Sequence, residues 1–159
     1  MPQDYRRPPV ARYGEAMPRA THIETNLTVG PVQYGEPLIG GGVVQFIGRT
    51  RPERHEAHGA LVQLDYQAHR ELAESELHRI AGEAATQWDL TSIRIDHATG
   101  PVAPGQASVA IEVAADHRDQ AFAACRWLID TLKERVPIWK QEIWADGTTW
   151  HKGTPVTSP

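Results

Sequence analysis

The sequence predicts an α+β fold in which two long helices pack on antiparallel sheet and a hairpin closes the chain. Two stretches repeat apolar side chains every three or four positions, as one face of a helix does. Most other apolar runs alternate with polar residues or are bracketed by glycines, as strands are. Strands and helices are interleaved without a βαβ repeat, and 159 residues suit one domain.

The first third of the chain predicts a tail, two strands and a loop. Residues 1–20 are rich in Pro and Arg without periodicity, so we expect a flexible tail before a domain spanning 21–153. A strand begins at Thr21 and ends at the turn-forming Gly30-Pro31. Residues 40–48, GGGVVQFIG, predict a buried strand with close backbone approach at its ends.

The middle of the chain predicts a polar loop, then strands around the first helix. Residues 49–59 are polar and carry a proline, so we expect a solvent-facing loop before the strand ALVQLDY. Apolar spacing predicts a helix over 69–88. The segments SIRIDHATG and QASVAIEVAA, joined by PVAPG, predict a hairpin of two half-buried strands.

The last third predicts a second helix and a hairpin. Asp116 is a good N-cap, and Pro137 ends the helix at Val136. Residues 138–144 and 148–151 flank Asp146-Gly147, a strong hairpin signal. We expect residues 154–159 to form a short tail.

Composition excludes several classes of function. A net charge of −4 argues against a nucleic-acid or anionic-membrane surface. The only cysteine, Cys125, allows neither an internal disulfide nor a thiolate zinc cage, so we expect a reducing, cytoplasmic setting. We find no secretory signal, membrane helix or glycine-rich phosphate loop. His55 and His58 lack a third ligand, so we expect neither a metal nor a cofactor.

Six basic residues stand where they could bind an anion. Each has an ordinary alternative, because most exposed Arg and Lys side chains are only solvated. A helix start offers free N–H groups. In the aromatic-rich run PIWKQEIW, partial desolvation by Ile138, Trp139 and Ile143 could lower the pKa of the lysine amine. The residues are Arg49 and Arg51 after a strand, His117 and Arg118 at a helix start, Lys133 near that helix's end and Lys140 beyond it.

Several segments together resemble one known family. They are GGVVQFIGRTR, LDYQAH, ADHRDQAFAACRWLIDTLKERVPIWKQE and DGTTW, in this order and at compatible spacing. The chain is similar to the large, catalytic subunit of molybdopterin synthase, which implies an α/β-hammerhead-type fold. The stretch from Val29 to Gly40 is shorter than the family's usual helix-bearing segment, so we expect that helix to be lost.

The resemblance implies a sulfurtransferase of molybdenum cofactor biosynthesis. A small ubiquitin-like sulfur-carrier subunit would insert its Gly-Gly thiocarboxylate tail, and sulfur would pass to cyclic pyranopterin monophosphate. Lys133 and Lys140 match the family's active-site lysines, and Lys133 is the leading catalytic amine. Arg51, His117 and Arg118 match its anion-binding positions, and we place Arg49 with them.

The spacing along the second helix has a consequence of its own. Arg118 and Lys133 are 15 residues apart, which is about 22 Å along a helix axis. One compact ligand would strain to touch both, so we expect a site built across a twofold dimer, within a heterotetramer that includes the small subunit. The strand 138–144 could offer the partner's tail an edge. A non-catalytic module that binds a phosphorylated small molecule is the main alternative, and an RNA-binding domain is a weaker one.

Overall fold

The computed structural model describes residues 19–150, with side chains through residue 147. Within this range the chain forms two helices and eight strands. In chain order they are β1 (His22–Val29), β2 (Gly42–Arg49), β3 (Arg54–His55), β4 (Gly59–Ala68), α1 (Arg70–Gln87), β5 (Leu90–Val102), β6 (Ala107–Ala115), α2 (Arg118–Arg135), β7 (Ile138–Trp144) and β8 (Gly147–Trp150). The predicted tail 154–159, and the tail 1–20 except for residues 19 and 20, lie outside the described residues.

The sheet runs in the order β2-β6-β5-β4-β7-β8, with β1 beside β5 and the short β3 beside β4. All pairs are antiparallel except β1 and β5, which are parallel. A parallel pair needs a long crossover, and the chain from β2 through α1 supplies one. The predicted α+β class is confirmed, with this one parallel pair added to the expected antiparallel sheet.

Strand β5 has 13 residues and joins two parts of the sheet. Along one edge its residues 92–99 pair with β1, and residues 100–102 pair with β4. Its other edge pairs with β6 over residues 90–97. Strands β1 and β4 therefore lie end to end beside β5, so that β4, β7 and β8 continue the sheet beyond its helix-covered part.

Both helices pack on one face of that sheet and on each other. Helix α1 buries its predicted apolar face, and α2 buries a face that includes Cys125 and Leu128. These side chains meet inward residues of the strands, such as Ile95 and Ile111, in one large core. Arg135 of α2 clamps the helices together, because its guanidinium lies 2.9 Å from Glu76 and 2.8 Å from Glu83 of α1.

The burial of two strands differs from the prediction. Strand β2 is the edge strand and is half exposed, whereas β6 is buried along its whole length. Helix α2 covers one face of β6, and the segment 30–41 reaches the other. Val32 is 3% exposed and its N–H donates to Ala107, while the buried Glu112 accepts hydrogen bonds from the Leu38 N–H and from Gln45.

The segment 30–41 contains no helix, as expected from its length. Arg94 adds a further anchor, because it donates to the Glu36 carbonyl at 3.2 Å and pairs with Glu24 at 3.1 Å. Residues 30–41 thus connect β1 to β2 as a non-helical segment tied to a buried carboxylate.

Candidate active site

Lys140 lies on the inward-facing side of β7. Side chains alternate along a strand, so Lys140 shares its face with the buried Ile138 and with Glu142. Its cross-strand partner on β4 is Tyr66. Burial lowers the pKa of Lys140; Glu142 and then Glu53 oppose this shift, whereas two nearby cations add to it.

The predicted desolvation of Lys140 is confirmed, but two of the three side chains named for it are wrong. Trp139 and Ile143 occupy odd positions of β7 and point to the opposite face from Lys140. On the face that Lys140 occupies, Ile138 pairs with Ala68 and Lys140 pairs with Tyr66. Alternation was visible in the sequence, whereas the pairing with β4 is a long-range contact.

The two cations near Lys140 are Lys133 and Arg51, since both act on its pKa. Lys133 is exposed in the last turn of α2. Arg51 follows β2 and pairs with Glu53 at 3.2 Å, while the Glu53 carbonyl accepts a hydrogen bond from Leu61 and so ties the loop to β4. We call Lys140, Lys133 and Arg51 the lysine cluster.

Arg49 is engaged elsewhere. Its guanidinium donates to the Gly105 carbonyl at 3.0 Å and to the Tyr34 hydroxyl, and it lies 5.7 Å from the centre of the Tyr34 ring. Within the described residues, Arg49 therefore connects the end of β2 to the β5–β6 turn and is not drawn into the lysine cluster.

His117 and Arg118 stand at the start of α2, and both are exposed. The N-cap is His117 and not Asp116 as predicted, and its side chain makes no capping hydrogen bond. Arg118 lies 4.0 Å from Asp119, a distance typical of a weak surface pair. Because the cap side chain makes no capping hydrogen bond, this helix start can offer backbone N–H groups and its dipole end to an anion.

Two glycines bring β2 against this helix start. A Cβ at Gly42 would lie 2.8 Å from the backbone nitrogen of Arg118, and one at Gly41 would lie 2.2 Å from the Asp116 carbonyl oxygen. Neither position has room for a side chain. The close backbone approach predicted for the GGG run is therefore present, and it frames His117 and Arg118, which we call the helix-start pair.

The lysine cluster and the helix-start pair lie at opposite ends of one helix. Helix α2 is continuous from Arg118 to Arg135, so Arg118 and Lys133 remain about 22 Å apart along its axis. One chain thus presents two separate cationic sites, and neither alone holds all of the predicted site residues.

Other candidate groups offer less chemistry. Burial raises the pKa of the Cys125 thiol to about 11, which makes it a poor nucleophile at neutral pH. The His55 and His58 rings stack at 4.7 Å, and His55 lies 5.4 Å from the Trp144 ring. Across residues 19–150, no three His, Cys, Asp or Glu side chains gather as a metal site would require. No helix in that range has the length and apolarity needed to span a membrane.

Strand β8 changes the expectation for β7. It pairs with residues 141–144, so the edge expected along 138–144 is already occupied over that part.

The sequence reasoning also missed Glu53, Glu142 and Tyr66 as neighbours of Lys140. Alternation would have placed Glu142 on the face of Lys140, but the other two depend on the β4–β7 register.

Two helices on a mostly antiparallel sheet, with a half-buried lysine beside two exposed cations, are the features of an α+β protein suited to anionic ligands. Comparison with known sequences identifies the family within this class of proteins. The model of the MoaE protein family matches residues 22–135. The molybdopterin synthase catalytic subunit of Pyrococcus abyssi is 38% identical over 114 residues, which cover 71% of this chain and 75% of that protein. The chain belongs to the molybdopterin synthase catalytic subunit family, whose members are enzymes of molybdenum cofactor biosynthesis.

Further relatives and solved structures agree. The Staphylococcus carnosus catalytic subunit is 37% identical over 133 residues, covering 84% of this chain and 83% of that protein. Molybdopterin synthase from Staphylococcus aureus superposes with a TM-score of 0.67 at 30% identity, over 84% of this chain and 97% of that one. A complex of subunits 1 and 2 of molybdopterin-converting factor from Helicobacter pylori shares the fold, with a TM-score of 0.63 at 16% identity, over 80% of this chain and 90% of that one.

Proposed function

We propose that the chain transfers sulfur from the thiocarboxylated tail of a small ubiquitin-like subunit to cyclic pyranopterin monophosphate, making the dithiolene of molybdopterin. The observation that carries the proposal is the half-buried Lys140 beside Lys133 and Arg51, in a chain of this family. Both reactants are anions, and cationic side chains gathered beside a partly desolvated amine can bind and orient anions.

We assign the two lysines different tasks. Lys133 is exposed at a helix end, so its amine can reach an incoming thiocarboxylate and contact the carbonyl carbon or its oxygen. Lys140 has a lowered pKa, so a larger share of its amine is neutral near pH 7 and can accept a proton as the pterin precursor opens. Arg51 balances the negative charge brought by the tail.

We assign His117 and Arg118 to the phosphate of the pterin, with Arg49 as a weaker candidate because it already has two partners. The separation of about 22 Å along α2 supports a site formed by the helix-start pair of one chain and the lysine cluster of a second. The functional unit is then a homodimer of this chain, with one small subunit on each copy as a heterotetramer.

Two substitutions in different chains test this arrangement. Arg118→Ala and Lys133→Ala should each leave little turnover, but mixed dimers would regain one intact site of two. Random reassortment of equal amounts restores about a quarter of the wild-type sites. If refolded or exchanged mixtures stay as inactive as the separate variants, the site lies within a single chain.

The small subunit is supported by the Helicobacter pylori structure, which is a complex of subunits 1 and 2 of molybdopterin-converting factor. We also infer that residues 21–153 form one domain that works in the cytoplasm, where a single buried thiol stays reduced.

Reconstitution tests the reaction itself. The purified chain, a thiocarboxylated partner and cyclic pyranopterin monophosphate should yield molybdopterin, measured as its fluorescent oxidised derivative. Lys133→Ala and Lys140→Ala should each lower the rate by about 100-fold or more. Arg126→Ala is the matched control, because Arg126 is an exposed cation on α2 whose ion pair with Asp130 spans 3.7 Å. Absence of product with a competent partner would support a non-catalytic binding module instead.

The pH dependence of turnover tests the role of Lys140 separately. If the neutral amine is the active form, the rate should rise with pH through the lowered pKa of Lys140 and then level off. Lys140→Arg keeps the positive charge but removes a base that can titrate in this range. That variant should bind both reactants and lose the rise in rate; full activity in Lys140→Arg would exclude proton transfer by this residue.

A further inference from the structure

Glu112 is a buried carboxylate that the proposed reaction does not use. It lies on β6 and is 3% exposed. Its chain neighbours Ile111 and Val113 belong to the core under the helices, so alternation turns Glu112 to the opposite face of the sheet. Burying a carboxylate is costly unless charged or hydrogen-bonding groups surround it, so the partners of Glu112 indicate its role.

The partners of Glu112 come from three parts of the chain. One carboxylate oxygen accepts a hydrogen bond from the Leu38 backbone N–H, and the other accepts one from the Gln45 side chain at 3.0 Å. The Arg94 guanidinium lies 3.7 Å from that second oxygen and also donates to the Glu36 carbonyl at 3.2 Å. The carboxylate and its arginine therefore hold the segment before β2 at two places.

The segment 30–41 follows β6 towards the start of α2. In chain order, the neighbouring pairs are Val32 with Ala107, Leu38 with Glu112, Gly40 with Ala114 and Gly41 with Asp116. Residues 40–42, which we call the glycine run, lie so close to β6 and α2 that a Cβ on any of them would come within 3.1 Å of another atom. The hydrogen bond between Leu38 and Glu112 is two residues before this run.

The glycine run borders a donor of the helix-start pair. A Cβ at Gly42 would lie 2.8 Å from the Arg118 nitrogen, whose N–H is one of those that a helix start leaves without an intrahelical partner. A displacement of Gly40 or Gly41 would therefore change the space beside this N–H. Glycine has the greatest backbone freedom of any residue, so such a run needs a hold at each end. Pairing with β6 holds Gly42, and Glu112 holds the other end.

We propose that Glu112 is a positioning residue for the anion site at the helix start: by accepting the Leu38 N–H, it fixes the glycine run against α2 and shapes the space that receives the pterin phosphate. The identity of that phosphate rests on the proposed function. The hold of Glu112 on the segment 30–41 is a property of the folded chain alone. The lysine cluster lies at the other end of α2, so Glu112 should affect phosphate binding and not the chemistry at the amines.

Hydrogen–deuterium exchange of the full chain tests this hold without the partner or the pterin. Glu112→Leu has a similar volume but removes both acceptor oxygens, so peptides that cover residues 38–42 should exchange about 10-fold faster than in the wild type. Glu112→Gln keeps one acceptor oxygen for the Leu38 N–H and should keep most of the protection. Exchange in α1 should be the same in all three proteins.

Val113→Ala is the matched control for a loss of packing. Val113 is the next residue of β6, is fully buried and belongs to the core under the helices. Its truncation should lower thermal stability and leave exchange over residues 38–42 unchanged. If Glu112→Leu does not fold, Glu112→Val retains a residue that favours strands and should give the same faster exchange. Unchanged exchange in a folded Leu or Val variant, or an equal increase in Val113→Ala, would overturn the proposal.

Steady-state kinetics separates this inference from the proposed function. If the wild type makes molybdopterin, Glu112→Leu should raise the KM for the pterin several-fold and leave kcat and the KM for the small subunit within about twofold of the wild type. Glu112→Gln should restore the KM for the pterin. A fall in kcat at an unchanged KM for the pterin would refute positioning at the phosphate. Faster exchange in a protein that never turns over would refute the proposed function and leave the hold of Glu112 on the segment standing.

Discussion

His97 is a buried titratable side chain whose protonation opposes folding. It lies on β5, is 6% exposed, and its Nδ1–H donates to the Ala98 carbonyl at 2.8 Å. Burial lowers the pKa of His97 from 6.5 to about 4, with the hydrogen bond to Ala98 opposing the shift. Between these values the unfolded chain binds a proton that the folded chain excludes, so stability falls as pH drops through this window.

The size of the effect follows from the width of the window. At pH 5 the solution is about 1.5 pH units below the pKa of His97 in the unfolded chain. At 1.36 kcal/mol per unit, lowering the pH from 7 to 5 therefore reduces the free energy of unfolding by about 2 kcal/mol. His97→Asn cannot titrate, while its amide N–H can still donate to the Ala98 carbonyl. Other titrating groups, such as Glu24 and Glu83, act equally in both proteins and cancel in the comparison.

Urea denaturation of the wild type and His97→Asn at both pH values provides the test. The wild type should lose about 2 kcal/mol more than the variant between pH 7 and pH 5. The variant is expected to be less stable at pH 7, since it leaves part of the imidazole volume empty, but only the difference in pH dependence counts. Equal losses in the two proteins would mean that His97 accepts a proton in the folded state without penalty.

Three further predictions concern packing, ion pairs and thiol chemistry. Gly42→Ala should cost about 1–3 kcal/mol in chemical denaturation, because its Cβ would meet α2 backbone at 2.8 Å, whereas Gly35→Ala, with no atom within 4 Å, should be nearly neutral. Arg135→Gln should lower stability by about 1–3 kcal/mol because it breaks two carboxylate contacts between the helices, and Arg126→Gln by less than about 0.5 kcal/mol. Cys125 should react with a thiol reagent only after denaturation, since it is buried and its pKa is raised; rapid labelling of native protein would contradict this.

Local signals in the sequence predicted most elements of the fold. Helix α2 ends where Pro137 requires it to end, whereas the turn between β7 and β8 consists of Ala145 and Asp146, one residue earlier than the predicted Asp146-Gly147. The start of α2 was one residue off, because Asp116 and His117 are both followed by helical sequence and only the backbone decides which caps it.

Burial was less predictable because it depends on neighbours in the sheet. Strand β2 has the composition of a buried strand but lies at an edge, and β6 carries Ser108 and Glu112 yet lies between other layers. The segment 30–41, which helps to bury β6, is distant in sequence and lacks periodicity. No local pattern identifies Glu112 as the acceptor for Leu38.

The candidate site was only partly predictable, because the residues around Lys140 also depend on which strands pair. Lys140 stood out by its aromatic-rich run, and the spacing of Arg118 and Lys133 along one helix survives in the structure. What surrounds Lys140 could not be read from β7 alone. Tyr66 is the cross-strand partner of Lys140 in the β4–β7 register, and that pairing joins residues 74 positions apart.

Strand β5 is the one strand that pairs with both parts of the described sheet. Its first part pairs with β1 and β6 in the helix-covered sheet, and its last three residues pair with β4. The amide hydrogens of β5 should therefore exchange with solvent only when the whole domain opens. Strand β4 pairs with β7, which carries Lys140, and with β5. A substitution that destabilises the helix-covered core should therefore disorder the surroundings of Lys140 in one cooperative step and not gradually.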